Sequence, residues 1–400
     1  MFLGGIKARL VGHLSDNPPS IKLGFVLDLI TTLNGVLDLS ARQSALWGVL
    51  ASFLACLTLV LTKRWHGAFT LDDAQGIQKF HTDPTPRIGG ISILLSLIVV
   101  WGKSTEDVRH FLTPMLFAGL PAFLFGLAED ITKKISVNSR LLATMGSGLL
   151  ACWLTDYSLT RVDVWGADEL LRWGVLSLLF TAFAVGGVAN AVNIIDGFNG
   201  LAGMTTVLAF LGYAMIAFQV GDTALASVAL VYAACVFGFF WVNWPLGKIF
   251  LGDGGSYFIG FSLAWVAVLL LERHPSVSVF AVLLPCIHPV VEVLFSIYRR
   301  RIRKEHPGMP DRLHFHSLVK RRYVARWFGD FSAPARNSMT GLLVGLLTLV
   351  AVVVANLVYL SHWMSVAAVM GLALGYVAIY ARMVKHRWCS PLHFLFVRLQ

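Results

Sequence analysis

The residues able to do chemistry in this chain gather in five short polar stretches, each set between long apolar segments. The first, Lys79 to Gly90 (KFHTDPTPRIGG), combines the cations Lys79 and Arg87 with His81, the Thr85 hydroxyl, stiffening prolines and two glycines that let backbone approach a ligand. That mixture suits a diphosphate, and an ordinary rigid turn is the plainer alternative. In the second, Glu129 and Asp130 stand side by side ahead of Lys133 and Lys134. Adjacent carboxylates repel unless a cation or a proton separates them, and magnesium favours one or two carboxylates plus substrate phosphates. A helix end salted by two lysines would look the same. The third stretch, NAVNIIDGFNG, spaces Asn190, Asn193, Asp196 and Asn199 at intervals of three, close enough to one helical turn to gather donors and acceptors for a nucleobase or sugar; tight-turn chemistry of Asn and Asp is the alternative. The fourth, GKIFLGDGGS, follows Phe250 with Asp253 among three glycines, where bare amides and a helix N-terminus hold phosphate oxygens while the acid holds a cation. The fifth runs from Arg299 to Arg322 and contains Arg312, His314 and His316. Histidines two apart serve as metal ligands, an acid–base pair or phosphate-binding donors, and Arg312 beside them suits a diphosphate.

The elements that must position these groups are membrane helices. At 400 residues, 56% hydrophobic and 14% charged, the chain spends its length on apolar runs rather than on soluble domains. Eleven runs have spanning character, near 45–62, 89–101, 111–127, 139–155, 171–189, 201–219, 224–242, 256–271, 278–298, 340–360 and 364–381. The fold class expected is therefore all-α, a polytopic membrane protein of about 11 transmembrane helices. Residues 1–44 form an N-terminal extension, 45–382 the transmembrane catalytic domain and 383–400 a C-terminal tail. The extension has no basic region followed by an apolar core and a cleavage site, so no removable signal is expected there. Tryptophans such as Trp65, Trp101, Trp153, Trp173, Trp241 and Trp363 fall near the proposed ends, where indoles prefer the headgroup region. The five cysteines are far apart and lack CxxC spacing, so they imply neither a zinc site nor a redox pair.

If the runs alternate across the membrane, 22 of the 32 Lys and Arg residues lie on one face, which the positive-inside rule assigns to the cytoplasm, with the N-terminus outside. All five polar stretches share that face, placing an active site at the cytoplasmic interface. In this layout a net charge of +10 points to anionic lipid headgroups or a phosphorylated substrate, not to nucleic acid. A transporter would instead need charges at membrane depth, for which Glu292, near the end of the ninth run, is the clearest candidate.

Taken in order from Lys79 to His316, the motifs HTDPTPRIGG, an acid pair, NAVNIIDGFNG, FLGDGGS and PDRLHFH resemble the polyprenyl-phosphate N-acetylhexosamine-1-phosphate transferases, of the glycosyltransferase 4 family. The resemblance implies transfer of an N-acetylhexosamine 1-phosphate, GlcNAc 1-phosphate foremost, from a UDP-sugar to undecaprenyl phosphate with release of UMP. The setting is a bacterial inner membrane, and the step initiates a cell-surface glycan such as O-antigen, common antigen or a wall polymer. It implies Mg2+, with Mn2+ as an alternative, held by Asp253 and with Asp130 as a second metal carboxylate. Catalytic roles fall to Asp130, Glu129, Asp196, His314 and His316, and substrate binding to Lys79, His81, Thr85, Arg87, Asn190, Asn193, Asn199, Phe250 and Arg312. Partners are the UDP-N-acetylhexosamine, undecaprenyl phosphate and membrane lipid, without nucleic acid and with a homodimer left open. One-step and two-step routes also stay open. Three positions depart from the family pattern: Glu129 stands in place of Asp, Asn199 in place of a second Asp, and Ser317 in place of a further His. An inactive relative acting as a binding protein would fit these departures, and the retained Asp253 and Asp130 argue against it.

Overall fold

The structure is a computed structural model that describes residues 39–72, 84–302, 304 and 313–385. Lys79, His81 and Arg312 lie outside the described residues, as do most of the N-terminal extension and of the C-terminal tail. The elements are α1 (Leu39–Leu61), α2 (Lys63–Thr70), β1 (Leu71–Asp72), β2 (Thr85–Pro86), α3 (Gly89–Lys103), α4 (Glu106–Thr132), α5 (Val137–Thr155), α6 (Ala167–Leu171) and α7 (Gly174–Ile195). They continue with α8 (Leu201–Gln219), α9 (Thr223–Asn243), α10 (Gly252–Arg273), α11 (Val279–Leu283), α12 (Ile287–Ile302), α13 (Phe315–Val319), α14 (Ala325–Trp327), α15 (Ala333–Val358) and α16 (His362–Val384). The only strand pairing among the described residues is the antiparallel β1–β2 contact of two residues each.

Each of the eleven expected runs coincides with a helix, α11 and α12 together making the ninth through a 3₁₀ turn at Leu284–Cys286. Among the described residues, nine helices are long and apolar enough to cross a membrane, and α3, at 15 residues, is a shorter apolar helix. The chain is an all-α polytopic membrane protein, which follows from backbone chemistry: in hydrocarbon every N–H and C=O must be satisfied within the segment, and a helix does this alone. Within the described residues α1 already includes the polar turn around Arg42, ahead of the apolar run.

Packing sorts the helices into a buried centre and a lipid-facing rim. α10 is the centre: it packs on α3, α4, α7 and α8. Phe258, Phe261 and Trp265 on it are fully buried. Small residues allow this. A Cβ on Gly90 of α3 would run into the backbone of Gly255 in α10, so the two chains touch backbone to backbone. Outward faces stay apolar: Leu46, Leu50 and Leu54 of α1, one helical turn apart, are exposed. The indoles of Trp65, Trp101, Trp153, Trp173, Trp241 and Trp363 are exposed near helix ends. At the end of the bundle away from the polar motifs, Arg273 Nε and His274 Nε2 meet Asp222 Oδ2 at 2.7 and 2.9 Å. There too Glu272 accepts from the Thr160 amide and hydroxyl, both at 2.9 Å.

Candidate active site

The site is built on the N-terminus of α10. The first turn of a helix leaves amides without intrahelical partners, and here a carboxylate from another helix takes them: the Asp253 and Gly254 amides donate to Asp130 Oδ1 and Oδ2, each at 3.0 Å. Asp130, near the end of α4, is 1% exposed. Gly252, at φ +77°, makes the turn into α10, and a Cβ on it would collide with the Arg87 carbonyl. The first and fourth motifs are joined by backbone: Phe250 N–H donates to Pro86 O at 2.8 Å, while the Gly89 and Gly90 amides donate to Phe250 O and Leu251 O at 2.9 and 3.0 Å. Phe250 thus acts through its main chain in this region.

Asp253 is held from three sides. Arg87 Nη2 donates to its Oδ1 at 3.0 Å and lies 3.5 Å from Asp130 Oδ1. Arg140 of α5 pairs with its Oδ2. Asn193 Nδ2 donates to Asp253 Oδ1 at 3.1 Å and to Ser256 Oγ at 2.9 Å. Asp196, just past the end of α7, joins the cluster beside Arg87, Asp253, Asp130 and the Gly252 amide. Its carboxyl is pushed well above the usual carboxylate range by burial; Arg87 and the Gly252 amide pull it down, while Asp253 and Asp130 push it further up. Glu129 is turned to a local task, its Oε2 accepting the Ile135 amide at 2.7 Å and so shaping the turn between α4 and α5.

The interval of three in NAVNIIDGFNG does not hold throughout, because α7 stops at Ile195 and the chain turns through Gly200 at φ +79°. Asn190 and Asn193 stay on α7, whereas Asn199 swings away from Asp253 and donates through Nδ2 to Ser338 Oγ of α15 at 3.1 Å. Asn199 and Thr85 instead line a neighbouring cavity of about 460 Å3 with Lys63, Arg64, Lys248 and Asn337. Asn199 Oδ1 and Asn337 Oδ1 are buried with no hydrogen-bond partner, a costly state. Thr85 is two residues from Arg87 and Asn199 three from Asp196, so the acidic cluster and the basic cavity are neighbours along the chain.

The fifth motif folds against the third. His314 and His316 stack with centroids 5.3 Å apart, and His316 meets the Phe198 ring edge-on at 5.1 Å. Lys320, in a π-helical turn after α13, lies 5.3 Å from the centroid of the same Phe198 ring. Burial, then the charge of Arg336, draws its ammonium down to about 8.

Sequence reasoning missed several participants. Arg140 sat at the edge of an apolar run, where an arginine is itself a signal. Asn243 binds the third motif to the fourth, its Oδ1 accepting the Gly200 amide at 2.6 Å and its Nδ2 donating to Ile249 O at 2.7 Å. Glu292, read as a charge at membrane depth, is fully buried and receives His314.

A model of glycosyl transferase family 4 matches residues 112–271. An undecaprenyl-phosphate alpha-N-acetylglucosaminyl 1-phosphate transferase of Yersinia pestis is 26% identical over 324 residues, 80% of this chain and 85% of the relative. A probable undecaprenyl-phosphate N-acetylglucosaminyl 1-phosphate transferase of Bacillus subtilis is 28% identical over 247 residues, 61% of this chain and 68% of the relative. The Salmonella typhi undecaprenyl-phosphate alpha-N-acetylglucosaminyl 1-phosphate transferase is 30% identical over 260 residues, 63% of this chain and 69% of its own length.

Proposed function

Because the chain belongs to glycosyl transferase family 4, we propose that it transfers N-acetylhexosamine 1-phosphate, GlcNAc 1-phosphate in the first instance, from a UDP-sugar to undecaprenyl phosphate. The product UMP leaves, and the lipid-linked sugar starts a cell-surface glycan on the cytoplasmic side of a bacterial inner membrane. The observation that carries this reading is the convergence of three aspartates and two arginines from separated motifs on the N-terminus of one buried helix. Beside them lies a basic cavity lined by Lys63, Arg64 and Lys248, suited to the phosphates of a nucleotide.

In the reaction, an oxygen of the acceptor phosphate attacks the sugar-bearing phosphorus. A new P–O bond forms, the bond from that phosphorus to the bridging oxygen breaks, and the bridging oxygen departs with UMP. A phosphomonoester is largely dianionic at neutral pH, so no strong base is required, and catalysis rests on positioning and neutralisation of charge. Arg87 and Arg140 steer the anionic reactants and hold Asp253 in place, and His316 donates to a phosphate oxygen. Both Asp130 oxygens accept backbone amides, which favours direct displacement over a phospho-enzyme on that residue.

The donor set fits magnesium. Among the described residues no group of three or more His, Cys, Asp or Glu is arranged to cage a metal, and an ion that takes one or two carboxylates and completes its shell with substrate phosphates and water needs no such cage. Both Asp253 oxygens already face cationic groups. Asp253 would hold the ion, with Asp196 nearby, and the ion supplies neutralisation of the diphosphate charge. Manganese would satisfy the same oxygens.

The test is transfer of radiolabelled phosphosugar from a panel of UDP-N-acetylhexosamines to undecaprenyl phosphate by purified protein, with and without magnesium, beside Asp253→Asn. Labelled lipid and UMP that require both the metal and the acid support the reading and name the sugar. Folded protein that yields no product with any donor overturns it.

A further inference from the structure

The histidine motif does not hold its own position. Glu292 sits in α12 at 0% exposure and its carboxylate takes three donors from two other places in the chain. His314 Nδ1 lies 2.8 Å from Oε1, the Phe315 amide donates to Oε2 at 3.0 Å, and the Tyr376 hydroxyl of α16 donates to the same Oε2. The Phe315 ring stacks on Tyr376 at 4.8 Å, so an apolar contact backs the polar one. A carboxylate at this depth is costly to keep unless its lone pairs are occupied, and here they are occupied by donors that each fix the motif.

We infer that Glu292 is a positioning residue for the reaction, fixing the tautomer of His314 and the start of α13 so that the His316 ring stacked on His314 meets the substrate phosphates in one orientation. An ionised carboxylate only accepts, so the ring nitrogen it faces must carry the proton. That places the proton of the neutral His314 ring on Nδ1 and leaves Nε2 as the nitrogen not committed to Glu292. Accepting the Phe315 amide satisfies one of the orphan donors in the first turn of α13. The consequence passes along a stack: His314 lies on His316, and His316 meets Phe198 two residues beyond Asp196. Glu292 therefore acts on the acidic cluster through His314 and His316 and does not itself touch substrate. The same geometry removes it as evidence for a transport pathway, since its carboxylate is engaged by three donors.

This inference rests on the proposed reaction, and a double-mutant cycle with a spectroscopic arm separates the two. Glu292→Gln keeps the shape but turns an amide toward one donor. Its kcat is expected to fall about 10- to 100-fold, with KM for either substrate changed less than about threefold. Added to His314→Ala, it is expected to cost less than about a further threefold, because residues acting as a unit are non-additive. The same factor in both backgrounds, or a loss confined to KM, overturns the inference. Nitrogen-15 spectra of the neutral His314 ring supply a readout that needs neither substrate nor a folded variant. Protonation on Nδ1 in the wild-type protein is expected, and protonation on Nε2 overturns the inference. Absence of transfer by wild-type protein that shows the Nδ1 tautomer would count against the reaction and leave the clamp standing.

Discussion

At the scale of single residues, the site is a set of charges that compensate one another, and two of them set expectations for pH. Asp196 is partly exposed yet surrounded by protein and by Asp253 and Asp130, which raise its carboxyl well above 3.8. A group raised on folding contributes stability that is fully present below its unfolded value and is lost as pH rises through the folded one. Asp196→Asn removes that loss. The variant should therefore match wild type near pH 4 and be at least as stable at pH 7 in thermal unfolding, while its transfer activity falls. Lys320 works in the other direction: with its ammonium drawn down to about 8, it loses charge as pH rises past that value. If it helps bind the anionic donor, kcat/KM for wild type should decline above about pH 8, whereas Lys320→Arg, whose guanidinium stays charged, should hold its value to pH 9. A decline of equal size in the variant would remove Lys320 from the site.

At the scale of elements, the decisive structures are junctions between motifs. Asn243 occupies the end of α9 and serves two loops at once, taking the Gly200 amide and giving to the Ile249 carbonyl. Asn243→Ala leaves both buried groups unmade. At about 1–3 kcal/mol for each, the variant should lose roughly 2–6 kcal/mol of stability, seen as a lower unfolding temperature of the purified protein, and should lose transfer activity because the third and fourth motifs come apart. The Gly90–Gly255 contact poses a sharper demand. Gly90→Ala forces α3 away from α10 and with it the backbone bonds that join Gly89 and Gly90 to Phe250 and Leu251. Chromatography of that variant should show aggregated or poorly folded protein, and a well-behaved, active Gly90→Ala would contradict the packing described. The elements themselves were legible because their cause is local: an apolar run of spanning length admits few structures other than a helix. The ends were less so, as α4 begins in the polar residues Glu106 and Asp107 before its apolar run.

At the scale of the molecule, the long helices bring all the described polar motifs to one end and leave a second polar clasp, Asp222 with Arg273 and His274, at the other. The proposed orientation is tested by labelling single cysteines in intact cells with a membrane-impermeant reagent. Trp165→Cys, at a fully exposed position on the loop between α5 and α7, should react from outside, and Lys134→Cys, beside the acid pair, should react only after the membrane is opened. The reverse pattern would put the catalytic face outside. The sequence by itself determined the class of the protein, the positions of its long helices and the motifs that carry Asp130, Asp196 and Asp253, because hydropathy and motif chemistry are carried by neighbours along the chain. Only the tertiary structure decided what each acid is engaged with. Asp130 spends its oxygens on the amides of α10, Asp253 is gripped by Arg87 and Arg140, Asn199 turns to α15, and Glu292 holds the histidines. Those assignments depend on which helix lies against which, a matter of side-chain shape and small-residue contacts between segments distant in sequence, and no local pattern encodes it.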